Sequence, residues 1–213
     1  DYEELFRPFS TEYDAVIHVN ISADFSSSYQ NACIAAESFD NVYVVDSRNL
    51  SSGHGHVVLQ AAERAETGMD VQDVLTDLRD IIPKVRASFL LDTLAYMRKG
   101  GRCSSVAALG ANLLKLKPCI AVQDGKMSVV KKYRGAMVKC LEEYVHDQLT
   151  TSGPIRRGRI FITHSGVPDG TIEAVRAAIR KEMAFDNITV TRAGCTVSCH
   201  CGPGTLGILF IVE

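Results

Sequence analysis

Apolar and β-branched residues run almost unbroken through YDAVIHVNI (13–21), give way to the polar stretch SADFSSS, and return at helical spacing at Tyr29, Ala32, Cys33 and Ala36. A buried run followed by a 3.6-residue period reads as strand, loop, helix. The order then repeats, with NVYVVDS (41–47) as a second short strand, RNLSSGHG as a loop and HVVLQAAERAET as a helix. Two such units in succession predict a parallel sheet. Val71, Val74, Leu75, Leu78, Ile81 and Ile82 share one helical face, and Pro83 closes that helix. We place a domain boundary just after it, giving an N-terminal parallel α/β subdomain over 1–84 and a C-terminal mixed-sheet α/β subdomain over 85–213.

The second half has a different rhythm. CIAVQDGKMSVV reads as two short strands around Asp124-Gly125, a pairing that favours a tight hairpin turn and brings in antiparallel neighbours. An amphipathic helix over 135–149, the strand RIFITHSG, a helix over 169–183, the strand NITVTRAG and the final strand GTLGILFIV complete a mixed sheet covered by helices. No internal repeat or low-complexity tract interrupts this pattern.

Length and charge narrow the function classes. A chain of 213 residues, 46% hydrophobic, buries a substantial core. No stretch reaches the roughly 18 uninterrupted apolar residues of a membrane span, and the charged start DYEELFRPF lacks the apolar run of a secretory signal. The expectation is a cytoplasmic protein without stable membrane insertion. The formal charge of −2, with Lys and Arg scattered, gives no footprint for a nucleic acid backbone. The first residue is Asp, and an α/β unit is expected to place a strand before its opening helix, so the chain is expected to be a fragment. Its seven cysteines sit mainly in apolar runs and are read as reduced thiols.

Cys195, Cys199, His200 and Cys201 fall within seven residues near the C-terminus. If that stretch is extended, Cys195, Val197, Cys199 and Cys201 face one way and Thr196, Ser198 and His200 the other, so thiols and imidazole do not converge. A structural zinc site also draws on a second Cys pair, which the chain lacks, so no metal and no cofactor are expected. The polar strip ending at His200 is either a satisfied surface or a binding face just before the turn GPG. The serine loop is similarly open. Ser26, Ser27 and Ser28 stand at a helix start, where they serve either as caps or as donors for a small monoanion. No G-x-S-x-G elbow surrounds any serine, and no triad is assembled. In DTLAYMRKGGRCS, Arg98, Lys99 and Arg102 surround a Gly-Gly break and form either a solvated turn or a docking patch for an acidic partner.

Taken together, NISADFSSSYQNACIAAESF, VYVVDSRNLSSGHGHVVLQAA, LLDTLAYMRKGGRCSSVAALGANLLKLKPCIAVQDGKM with YRGA, and CHCGPGTLGILF resemble, in this order, the signature blocks of the DegV family. The resemblance covers nearly the whole chain. It implies two α/β subdomains with a ligand tunnel between them, and a bacterial protein that binds one long-chain fatty acid. It further implies that the acid is presented to a separate fatty-acid kinase, a Dak-type kinase subunit, and that the chain itself is not an enzyme. Ser26 matches the serine that bonds the fatty-acid carboxylate, Ser28 replaces the neighbouring threonine, and His200 matches the histidine beside the carboxylate. Arg98, Lys99 and Arg102 match the basic turn associated with kinase docking. Departures are Ala23 for a second serine, Ser27 for glycine, Ser198 for glycine, and Cys199 and Cys201 for smaller residues or threonine. The family's opening strand and its threonine-serine carboxylate loop have no counterpart here. The alternative from a different class is a serine hydrolase or acyltransferase using Ser26 with His200 as base.

Overall fold

The computed structural model describes residues 1–101 and 116–213. It divides into two compact units, Asp1–Pro83 with the turn Asp124–Lys126, and Lys84–Gln123 with Met127–Glu213.

In the first unit, α1 (Tyr2–Glu12) leads into β1 (Val16–Asn20), α2 (Ser28–Ala36), β2 (Val42–Asp46), α3 (Ser51–Glu66) and α4 (Val71–Ile81). β1 and β2 pair in parallel, Val16 opposite Val42 through Asn20 opposite Asp46. Phe6, Ala32, Ala35 and Val42 form a small core, with His18 packed edge-on to the rings of Tyr2 and Phe6. α4 is amphipathic as its spacing predicts: Val74, Leu75, Leu78 and Ile81 are buried, and the Asp70 carboxylate caps its start by accepting from the Gln72 N–H at 2.9 Å.

One boundary differs from the sequence expectation. The segment SSGHG, expected as loop, is the first turn and a half of α3. Glycine disfavours a helix, but Gly53, His56 and Val57 are buried here, and packing outweighs the local preference.

The second unit holds β3 (Val85–Leu90), α5 (Ala95–Gly100), β4 (Leu116–Gln123), β5 (Lys126–Arg134), α6 (Met137–Thr151), β6 (Arg159–His164), α7 (Asp169–Glu182), β7 (Asn187–Arg192), α8 (Cys195–Cys201) and β8 (Leu206–Ile211). Its six strands run in the order β5-β4-β3-β8-β6-β7. β3 is antiparallel to both β4 and β8, β8 is antiparallel to β6, and β6 is parallel to β7, so the sheet is mixed. The hairpin turn has both central residues left-handed, Asp124 at φ 51° and Gly125 at φ 79°, as Asp-Gly favours.

Tyr144, fully buried on α6, ties this unit together. Its hydroxyl donates to the Ser88 carbonyl at 2.7 Å on β3 and accepts from the Ile208 N–H at 3.0 Å on β8. One phenol thus satisfies groups on two neighbouring strands that burial would otherwise penalise.

Candidate functional site

β1 ends at Asn20, and the chain turns through the serine loop before α2 begins. The loop is closed by its own polar groups. Ser22, wholly buried, donates from its hydroxyl to the Gly125 carbonyl at 2.8 Å and accepts from the Asp24 N–H at 3.3 Å. Its backbone N–H donates to the Asn49 carbonyl at 2.9 Å, which joins the loop to the one that follows β2. There, Asp46 accepts from the N–H groups of Arg48 at 2.8 Å and Ala23 at 3.4 Å.

Ser26 and Ser28 are half-buried, with their hydroxyl oxygens 2.8 Å apart, and Ser26 also accepts from the Ser28 N–H at 3.2 Å. Ser27, at the N-cap position of α2, is exposed and makes no side-chain capping bond. Two hydroxyls are therefore held together at the start of a nine-residue helix, whose N–H groups carry partial positive charge.

Behind the loop, two buried nitrogens, Asn20 Nδ2 and His54 Nδ1, have no hydrogen-bond partner among the described residues. Burial lowers the pKa of His54, opposed by a hydrogen bond with the Asn20 backbone; burial lowers His18 too, with His54 nearby adding to the effect. Neither Asn20 nor His54 stands out along the chain, because one is a lone polar residue at the end of an apolar run and the other lies in a polar stretch that reads as loop.

His200 lies in the last turn of α8, so the stretch weighed above as extended is helical. Glycines fix its ends: Gly194 accepts from the Ser198 N–H at 3.0 Å, and Gly202, left-handed at φ 78°, donates to the Ser198 carbonyl at 2.8 Å. A helix regroups the side chains. Val197 and Cys201, four apart, pack into the cluster of Leu91, Leu94, Met97 and Ile120, while Cys195 and Cys199 are exposed. Cys201 is thus wall, and the other two face outward. The signal that could have revealed this is the Val197/Cys201 spacing between two glycines.

The His200 ring is half-buried, and its Nδ1 is buried with no partner among the described residues. It rests on Gly100, where an added Cβ would overlap Nδ1. Gly100 ends α5, the helix that exposes Arg98 and Lys99, so the basic residues stand on a helix end. Arg102 lies outside the described residues. Ser26 and Ser28 belong to the first unit, and His200, Arg98 and Lys99 to the second.

Among the described residues, no group of three or more His, Cys, Asp or Glu side chains is arranged to hold a metal ion, and no helix is long and apolar enough to cross a membrane.

The family model for uncharacterised proteins of the DegV family matches residues 1–213. A DegV domain-containing protein of Caldanaerobacter subterraneus subsp. tengcongensis is 28% identical over 213 residues, covering 99% of this chain and 75% of that protein. Among solved structures, a Thermus thermophilus DegV family protein described by its fatty acid binding superposes with a TM-score of 0.91 at 28% identity, over 100% of this chain and 76% of the other. A Thermotoga maritima protein described as lipid binding gives a TM-score of 0.87 at 26% identity, over 100% and 74% of the respective chains.

Proposed function

The chain belongs to the DegV family, and from that premise we propose that it is a cytoplasmic carrier of one long-chain fatty acid. It holds the acyl chain in a buried pocket, anchors the carboxylate on Ser26, Ser28 and His200, and presents it to a separate fatty-acid kinase. The observation that carries this reading is the likeness along the whole chain to the fatty-acid-binding Thermus thermophilus structure.

Site chemistry supports it. The paired hydroxyls of Ser26 and Ser28 lie beside the N–H groups at the start of α2, a setting that favours an anion over a neutral ester. His200 adds a half-buried imidazole, a side chain that donates a hydrogen bond to an anion from a ring N–H. Arg98 and Lys99 are exposed on α5, and with Arg102 they supply the charge that attracts the kinase. No chemical step is assigned to the chain. The Ser26 hydroxyl is engaged by the Ser28 hydroxyl and N–H, a helix-start arrangement that does not activate it as a nucleophile.

Organic extraction of the isolated, folded protein followed by mass spectrometry tests the reading. A co-purifying long-chain acid is expected, and the emptied protein should bind hexadecanoic acid in preference to its methyl ester. Repeated absence of lipid, together with equal binding of acid and ester, overturns it.

A further inference from the structure

The two glycines of the KGGR turn are there for different reasons. Gly101 has a left-handed backbone, φ +65°, and open space around its Cα, so its conformation alone calls for glycine. Gly100 has no such backbone requirement; instead, any Cβ at this position would occupy the space of the His200 ring. Two further close approaches join the same segments. A Cβ at Gly202 would overlap the ring of Tyr96 on α5, and one at Gly204 would come within 3.0 Å of the Asp92 Cβ. α5 and the residues before it therefore approach α8 and the GPG turn closely at three glycines, and His200 is caught in that seam.

We propose that Gly100 is the positioning residue for His200, fixing the ring so that, in its neutral form, the proton lies on Nε2 and can be donated to an anion; this rests on the carboxylate-anchor reading of His200. Nδ1 is buried with no acceptor among the described residues, so a proton placed there would be an orphaned donor, whereas a bare lone pair against a Cα costs less. The proton is then left to Nε2. A methyl group at position 100 would push the ring from this seat, and close-packed interiors absorb such a displacement poorly.

The test is a double-mutant cycle on the full chain with Gly100→Ala, His200→Ala and both, read by thermal unfolding, ring-nitrogen NMR signals and titration with hexadecanoic acid. In the parent, the His200 ring should show the Nε2–H tautomer. Gly100→Ala should shift those signals and weaken hexadecanoic acid binding by up to the roughly ten- to a hundredfold that one hydrogen bond to a charged group is worth. In the His200→Ala background the same change should be silent, because the ring it would strike is gone. If Gly100→Ala alone does not fold, a folded double variant supports the proposal and an unfolded one overturns it. Unchanged ring signals, or equal loss of stability in both backgrounds, also overturn it. If the parent binds no hexadecanoic acid while the cycle remains non-additive, the carrier reading fails and the positioning role stands.

Discussion

Ser22, wholly buried, and His200, half-buried, stand near opposite ends of the sequence and are held in different ways. The Ser22 hydroxyl donates to Gly125 and accepts from Asp24, so its position is fixed by bonds that bend and lengthen by small amounts. The His200 ring leaves Nδ1 without a partner among the described residues and lies against Gly100, where one added methyl group would overlap it. A site held by hydrogen bonds loses energy gradually when disturbed, whereas a site held by shape tolerates a substitution until an atom enters the space, and then fails.

The largest effect expected from breaking this contrast is on ligand affinity. Ser26→Ala and His200→Ala should each weaken hexadecanoic acid binding roughly ten- to a hundredfold, with the methyl ester little affected, since on the proposed anchor each removes a donor to a charged group. The double variant should lose less than the sum if both donors serve one carboxylate. Calorimetric titration decides this, and a single variant that matches the parent removes its residue from the anchor.

Next comes stability. Ser22→Ala takes a wholly buried hydroxyl from the Gly125 carbonyl and the Asp24 N–H, and it should destabilise the first unit by about 1 kcal/mol. Urea unfolding followed by hydrogen exchange at β1 and β2 would measure it, and an unchanged midpoint would show that the bonds are replaced by water.

A smaller effect should appear with pH. Both His18 and His54 lie below their ordinary value of 6.5, chiefly through burial. The unfolded chain therefore takes up protons at a higher pH than the folded one. Their contribution to stability should be level above about pH 7 and fall as pH drops through 6.5 towards the depressed folded values. His54→Gln should flatten the dependence of the thermal midpoint between about pH 7.5 and 5.5; a slope equal to the parent's removes His54 from the account.

The smallest effect is at the exposed charges. Arg98→Glu with Arg102→Glu should leave lipid binding intact and slow association with the proposed kinase partner several-fold at low salt, because exposed charges steer encounter more than they hold a complex. Equal rates of acyl phosphate formation at low salt would count against docking there.

Much of the site's setting is legible along the chain. The serine loop follows an apolar run and precedes a helical period, which places it at the carboxyl edge of a parallel pair. The Asp124-Gly125 turn is visible because few residue pairs accept two left-handed positions in succession. The stretch around His200 is less transparent. Seven residues bounded by glycines fit either period, and what makes them helical is a hydrophobic cluster assembled from residues about a hundred positions away.

Periodicity and turn chemistry are local properties, so the amino-acid sequence by itself determined the alternation of strands and helices, the parallel opening and the hairpin that begins the mixed sheet. Contact between residues distant in the chain is not a local property. Only the tertiary structure decided that SSGHG joins a helix, that Cys201 turns inward while Cys195 and Cys199 turn out, and that the first glycine of KGGR makes room for His200. The reason is steric. A glycine's conformational freedom can be anticipated from its neighbours in sequence, but the need for empty space at its Cα is set by whichever side chain the fold brings against it.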